Sequence, residues 1–177
     1  MDIVIRECTM DDLETLRDLA IRTYVEAFES MNTKENMRIY LATAFSKAKL
    51  QEELSNPASR FYFAYGDGEL AGWMKLNESE AQTDIHDPES LEVERVYVLK
   101  AFQSASVGKS FLDRAMQIAR KRGKTYLWLG AWKDNHRALK FYLRYGFRII
   151  GEHSFFVGED EQSDFIMRKD IEDGGER

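Results

Sequence analysis

Two glutamates, Glu92 and Glu94, stand in the stretch Leu91-Glu-Val-Glu-Arg-Val-Tyr-Val98. The stretch alternates, with Val93 and Tyr97 on one face and Glu92, Glu94, Val96 and Val98 on the other, so a strand would turn both acids to one side. Two carboxylates placed together can accept a proton or hold a cation. Leu99 to Gly108 then shows little regular pattern. Phe111, Leu112, Ala115, Met116 and Ala119 follow as the apolar stripe of a helix whose other face carries Asp113, Arg114, Gln117, Arg120 and Lys121. In a strand, turn and helix of this kind, the turn N–H groups and the positive end of the helix dipole converge on one spot, which suits a pyrophosphate. A third segment, Asn135 to Phe147, reads as an amphipathic helix. Asp134 or Asn135 can cap it, its stripe is Ala138, Leu139, Phe141, Tyr142 and Tyr145, and Gly146 supplies the left-handed stop.

The elements that must position these residues are legible around them. Ile3 to Arg6 is a short strand, and Thr9 with Asp12 resembles a capping box ahead of the stripe Leu13, Leu16, Leu19, Ala20, Tyr24, Ala27 and Phe28. Asn32 or Thr33 opens a second helix with Met37, Tyr40, Leu41 and Ala44, and a short third helix spans Leu50 to Leu54. Arg60 to Tyr65 and Glu69 to Leu76 form a hairpin about Gly66-Asp67-Gly68. Asn77 to Glu89, with its acids and Pro88, reads as an exposed loop. Arg148 to Ser154 and Asp164 to Lys169 read as the last strands, and 173–177 as a frayed tail.

Composition narrows the possibilities. A chain of 177 residues, 44% hydrophobic and without a Pro/Gly/Ser-rich linker, is expected to fold as one domain over 1–172. No apolar run approaches the roughly 20 residues of a membrane span, and Met1-Asp-Ile-Val-Ile-Arg is a strand pattern rather than a signal peptide, so a cytoplasmic location is expected. Cys8, the sole cysteine, cannot form an internal disulfide. His86, His136 and His153 lie far apart, and no metal site is expected. The formal charge of −6, from 31 acids and 25 bases, makes nucleic acid a poor partner and a cationic ligand a better one.

The order of strand, turn, helix and then a helix with Asn135, Phe141-Tyr142 and Gly146-Phe147 resembles the coenzyme A half of a GNAT acetyltransferase. Gly108-Lys109-Ser110 copies the tail of a Walker A loop, but Gln103 stands where its leading glycine is required. The run Gln103-Ser104-Ala105-Ser106-Val107-Gly108 fits the GNAT phosphate signature better, with Ser106 in place of the first glycine. The likeness extends over nearly the whole chain. Glu35-Asn36-Met37 with Tyr40-Leu41 and Ala44-Phe45, Trp128-Leu-Gly-Ala-Trp132, and His153-Ser-Phe155 through Gln162, Asp164, Ile166 and Met167 are similar to the PaiA-type spermidine/spermine N-acetyltransferases.

The resemblance implies an α/β (α+β) fold with a mixed, mostly antiparallel twisted sheet of about seven strands, flanked by helices and splayed between strands 4 and 5. It implies direct acetyl transfer from acetyl-CoA, without a metal, to a small-molecule amine, here a polyamine. Coenzyme binding would fall to Val96, Tyr97 and Val98, to Gln103, Ser104, Ala105, Ser106, Val107, Gly108, Lys109 and Ser110, and to Asn135, Ala138 and Tyr142. A polyamine in water is mostly protonated and attacks only when neutral, so a base must act, Glu94 in preference to Glu92. Tyr142 would be the acid at the departing sulfur, and the Val98 N–H would meet the carbonyl oxygen. Tyr24, Phe28, Tyr40, Trp132, Glu159, Asp160 and Glu161 would border the acceptor. Ribosomal-type protein acetyltransferases commonly place a glutamate at the Gly130 position, which counts against protein or peptide acceptors. A non-catalytic acetyl-CoA or polyamine sensor is the alternative of another class, and a homodimer is left open.

Overall fold

The computed structural model describes residues 1–172, and the tail expected over 173–177 lies outside the described residues. The strands are β1 (Ile3–Glu7), β2 (Ser59–Gly66), β3 (Glu69–Glu78), β4 (Ser90–Val98), β5 (Tyr126–Trp132), β6 (Arg148–Val157) and β7 (Asp160–Asp170). The helices are α1 (Leu13–Phe28), α2 (Lys34–Ala44), α3 (Lys47–Ser55), α4 (Val107–Lys121) and α5 (His136–Tyr145). One sheet runs in the order β1-β2-β3-β4-β5-β7-β6, antiparallel throughout except between β4 and β5. That parallel pair joins only at Ser90 with Tyr126, Leu91 with Leu127 and Glu92 with Trp128. Beyond Glu92 the two strands separate, leaving the expected wedge at the centre of the sheet.

Each face of the sheet carries a core. Phe111, Leu112 and Ala115 of α4, with Leu139 and Phe141 of α5, pack on Leu91, Val93, Leu127, Leu129 and Met167. On the other face Leu16, Ala20 and Tyr24 of α1, Met37 of α2 and Leu50 of α3 pack on Phe61, Phe63 and Trp73. Burying a Leu or Phe contributes about 1.5–3 kcal/mol, against about 1 kcal/mol for a cap, so the stripes hold the helices and the caps set their ends. Thr33 Oγ1 accepts from the Asn36 N–H (3.1 Å), and Ser46 Oγ from that of Lys49 (3.2 Å). Asp67 (φ 50°) and Gly68 (φ 83°) make the β2–β3 turn, the left-handed pair such a hairpin prefers.

Two expectations are corrected. The segment expected as an exposed loop from Asn77 to Glu89 begins inside β3 and then lies against the sheet as a strap. Gln82 is buried, and its Nε2 donates to Ser90 Oγ (2.9 Å) and to the Ser90 carbonyl (3.2 Å). The last strands, expected over Arg148 to Ser154 and Asp164 to Lys169, run further, to Val157 and from Asp160, so that Glu159-Asp160-Glu161 lies at a tight turn beside Gly158. Their hairpin docks on the α1–α2 connection and the first turn of α2: Gln162 Nε2 donates to Asn32 Oδ1 (2.9 Å) and Asn36 Nδ2 to Asp160 Oδ2 (2.6 Å).

Gly158 combines a positive φ (63°) with a backbone approach at which a Cβ would stand 2.3 Å from Asn36 Oδ1 and 2.8 Å from Asn36 Cα. Gly158→Ala is expected to lower stability by about 2 kcal/mol or more, read as a shift in the urea midpoint with unchanged m.

Candidate active site

A β-bulge decides where the two glutamates point. Lys75 pairs with Arg95 and Leu76 with Val93, which leaves Glu94 as the extra residue on β4. Strict alternation from Glu92 to Val98 is thereby corrected. Val93, Val96 and Val98 all join the α4–α5 core, while Glu92, Glu94, Arg95 and Tyr97 turn to the α1–α2 side.

Glu94 sits among cations. Its carboxylate accepts from Lys75 Nζ (3.1 Å), Arg95 Nε (3.2 Å) and Asn77 Nδ2 (3.2 Å). Lys75 is 3% exposed and also lies 3.4 Å from Glu53 Oε2. The Arg95 guanidinium stacks on Phe45 (4.8 Å) and donates to the Tyr40 hydroxyl (3.1 Å). Glu92 is 2% exposed and accepts from Asn77 Nδ2 (2.9 Å), from the Thr83 N–H (2.9 Å) and from the Thr83 hydroxyl. Burial pushes both carboxyls up. For Glu94 the charges of Lys75 and Arg95 outweigh burial and leave it below the ordinary carboxylate value, whereas Glu92, with Glu94 beside it, stays above. The shared Asn77 amide makes them a coupled pair.

The wedge and the α4 turn form the other half. Leu99 N–H donates to the Ala71 carbonyl on β3 (2.8 Å), so by alternation the Val96 and Val98 N–H groups face away from β3, into the wedge. Gln103 Nε2 donates to the Val98 carbonyl (3.1 Å), and Arg137 Nη1 to Gln103 Oε1 (2.6 Å), which ties the turn to α5. In α4 the first intrahelical donor is Ser110 N–H, to the Ser106 carbonyl (3.0 Å), leaving those of Val107, Gly108 and Lys109 at the helix mouth. Ser106 is left-handed (φ 63°), which explains why a glycine suits this position. Lys109 is engaged with Asp113 (2.8 Å) on the helix flank. The Gly108 backbone lies close to the Phe141 ring, where a Cβ would meet it at 3.4 Å. Donors at a helix mouth, a left-handed turn and a wedge lined by free strand N–H groups fit a phosphate-bearing chain with an acyl end.

Tyr142 is half-buried, its ring 5.8 Å from that of Phe147. Burial, then Asp164, pushes its pKa up to about 12. Asn135 caps α5 through Oδ1, accepting from Ala138 N–H (3.2 Å), which leaves its amide nitrogen for other partners.

The expected acceptor residues converge in part. Tyr24 stacks on Tyr40 (4.3 Å), Phe28 lies 4.7 Å from Tyr24, and Phe28 meets Trp132 across the wedge (5.6 Å). This aromatic wall leads to a cleft of about 430 Å³ that Met31, Trp132, Asp134, Asp160 and Glu161 help to line, while the Glu159 N–H is turned to Asn36 Oδ1 (3.4 Å). Above Gly130 a Cβ would stand 2.8 Å from Asp164 Oδ2 and 3.4 Å from the His153 ring, so that space is filled. The sequence leaves open a pairing of the acids with Arg95 or a lysine, but it does not single out Lys75 or Asn77 as the partners. Lys75 and Asn77, alternating with Met74 and Leu76 in an apolar strand, were the available signal. Thr83, Asp84 and the His153 pairing left no comparable one.

Among the described residues no helix is long and apolar enough to cross a membrane, and no three His, Cys, Asp or Glu side chains group as a metal site. Residues 14–147 match the acetyltransferase (GNAT) family. The chain is 37% identical over 158 residues, 89% of its length and 91% of the relative's, to an uncharacterised N-acetyltransferase of Lactobacillus delbrueckii subsp. lactis. It is 27% identical over 176 residues to the spermidine N(1)-acetyltransferase of Thermoplasma acidophilum, covering 97% of this chain and 99% of the other. The crystal structure of PaiA N-acetyltransferase from Thermoplasma acidophilum in complex with coenzyme A superposes with a TM-score of 0.77 at 26% identity, covering 96% and 99% of the two chains.

Glu94→Gln leaves Lys75 and Arg95 underpaired and is expected to lower stability by on the order of 3 kcal/mol in urea unfolding at pH 7.5. Glu92→Gln is expected to be neutral or stabilising. The signs differ because Glu94, depressed when folded, stabilises above the ordinary carboxyl pKa and loses that contribution as pH falls through its folded value. Ionised Glu92, with its raised value, instead opposes folding, and protonation relieves it. Ser106→Gly relieves about 1–2 kcal/mol of left-handed strain against about 0.4–1 kcal/mol of added chain entropy, so a net gain between about 0 and 1.6 kcal/mol is expected, together with tighter coenzyme A binding in calorimetry.

Proposed function

The chain belongs to the GNAT acetyltransferase family and is an acetyl-CoA-dependent N-acetyltransferase, and we propose that its acceptor is a polyamine, spermidine or spermine, taken up on the α1–α2 side of the wedge. The observation that carries this reading is the set of partly exposed rings of Phe28, Tyr40 and Trp132, backed by the buried Tyr24, leading to a cleft where the carboxylates of Asp134, Asp160 and Glu161 outnumber Lys133. Aromatic faces and separated carboxylates suit a long, flexible polycation. The likeness to a spermidine acetyltransferase along nearly the whole chain supports the same choice.

Acetyl-CoA supplies an activated acetyl thioester. The N–H groups of Val107, Gly108 and Lys109, with the turn at Gln103 to Ser106, hold its phosphates, and the Val96 and Val98 N–H groups line its path into the wedge. Val98 N–H donates to the carbonyl oxygen as negative charge develops there. Glu94 takes the ammonium proton, directly or through water. It keeps a 16% exposed side chain, and its cationic neighbours keep it ionised, whereas Glu92 is sealed under Thr83. Glu92 acts as the second member of the pair, setting the charge Glu94 feels. Tyr142, at about 12, stays protonated through the working range and donates to the departing sulfur.

Thiol release from acetyl-CoA with spermidine, spermine, a lysine peptide, an amino-terminal peptide and an aminoglycoside is the direct test. Turnover is expected with the polyamines. Glu94→Gln and Tyr142→Phe are each expected to lose about 10²–10⁴ in kcat, with coenzyme affinity within a few-fold. Preference for the peptides would refute the polyamine reading. Coenzyme binding without acetylation of any amine would favour a sensor, the reading to which the strained Ser106 lends its support.

A further inference from the structure

The strap between β3 and β4 holds three of the five non-glycine residues with positive φ among the described residues: Ser79, Ile85 and His86. Ile85 (φ 61°) and His86 (φ 55°) are consecutive, and a β-branched residue persists in that region only where its surroundings over-determine it. The Ile85 side chain packs on the cluster of Tyr126, Trp128 and Ile166, and the fully buried Trp128 Nε1–H has no hydrogen-bond partner among the described residues. Strain and an unpaired donor both oppose the closed strap, so its anchors must hold it down.

Gln82 Nε2 donates to Ser90 Oγ (2.9 Å), Thr83 donates its N–H and hydroxyl to Glu92, the Tyr126 hydroxyl donates to Asp87 Oδ2 (2.7 Å) and Lys124 Nζ to the Pro88 carbonyl (2.7 Å). Asp84, beside the strained turn, is met from across the wedge. His153 of β6 places Nδ1 3.3 Å from Asp84 Oδ2, next in sequence to Thr83, and Nε2 3.4 Å from Asp164 Oδ2, the carboxylate that lies over Gly130. One imidazole thus spans the strap that seals Glu92 and a carboxylate at the β5 side of the opening.

We propose that His153 is a positioning residue for acetyl transfer, bridging Asp84 and Asp164 so that the strap stays closed and Thr83 stays on Glu92. This rests on the reading of Glu92 and Glu94 as the proton-accepting pair. Without the bridge the strained turn at Ile85 and His86 relaxes and draws Thr83 away. Glu92 then keeps Asn77 as its remaining donor, and the pair loses the fixed arrangement in which Glu94 is the more ionised member. On the coenzyme side Asp164 also faces Tyr142 of α5, whereas the α4 turn shares none of these contacts.

His153→Gln and Asp84→Asn provide the test, each measured for Thr83 amide hydrogen exchange and for kcat and KM with spermidine and acetyl-CoA. Thr83 exchange is expected to quicken about tenfold or more, with Leu127 and Phe63 protection unchanged. The expected kcat falls about tenfold with KM for acetyl-CoA within about twofold, and adding His153→Gln to Glu92→Gln brings no further loss. Unchanged Thr83 protection in both variants, or a kcat loss that multiplies in the Glu92→Gln background, overturns the proposal. Should Glu92→Gln and Glu94→Gln both turn over like the parent, the reading of the acid pair fails and the role in transfer falls with it, whereas Thr83 exchange still decides whether His153 holds the strap.

Discussion

The ion pair that Glu94 makes with the buried Lys75 and Arg95 is the constraint on which the rest of the site depends. A charge removed from water is costly unless an opposite charge meets it at close range, and three charges here lie on adjacent strands with little access to solvent. In a regular strand, Glu94 and Arg95 would project from opposite faces. The extra residue of the bulge brings both to the α1–α2 side, and so lets neighbours in sequence become partners in space. The same register change returns Val96 and Val98 to the α4–α5 core. A bulge also bends and twists its strand, and β4 parts from β5 just before it, after Glu92. Charge pairing, core continuity and the opening therefore share one local cause.

That arrangement gives two chemically identical side chains different characters. Glu92 is hydrogen-bonded but meets no cation within ion-pair distance among the described residues, and burial raises it; Glu94 has two cations, and they lower it. Because Asn77 donates to both, a change of charge on one is felt by the other. A pair split in this way holds an ionised carboxylate beside one that is more easily protonated, two states of one residue type set by their surroundings. Tyr142, with its pKa held near 12, completes the contrast as a group that keeps its proton.

The coenzyme half was legible because its parts are local. Strand, turn and helix follow one another within Leu91 to Lys121, and periodicity, a missing glycine and a helix stop mark them out. The central opening came with the family resemblance. What periodicity could not show was the bulge. Alternation fits Glu92 to Val98 equally well on paper, and only pairing with β3 reveals the added residue. The strap was misread for a related reason: acids and a proline look solvent-bound, yet Gln82 and Thr83 turn inward to satisfy Ser90 and Glu92. The aromatic residues were named from resemblance and a pairing of the acids with Arg95 or a lysine was open, but Lys75 was not singled out because a charged residue in a strand normally signals an outward face.

The acceptor side is assembled from segments far apart in the chain. Asn36 reaches Asp160 across 124 positions, Asn32 reaches Gln162 across 130, and His153 reaches Asp84 across 69. The first two dock the β6–β7 hairpin beside α2 and the third ties the strap to β6, and each can change without disturbing the α4 turn. The two halves are thus physically separable: one is a helix mouth and a wedge, set by backbone geometry, and the other is a set of long-range side-chain contacts. A fold organised this way can keep its acetyl donor while its acceptor varies. Likeness over the whole chain therefore transfers the coenzyme chemistry more firmly than the amine. On the proposed reading, the choice of amine falls to the few side chains, Trp132, Asp134, Asp160 and Glu161 among them, that border the cleft beside the wedge.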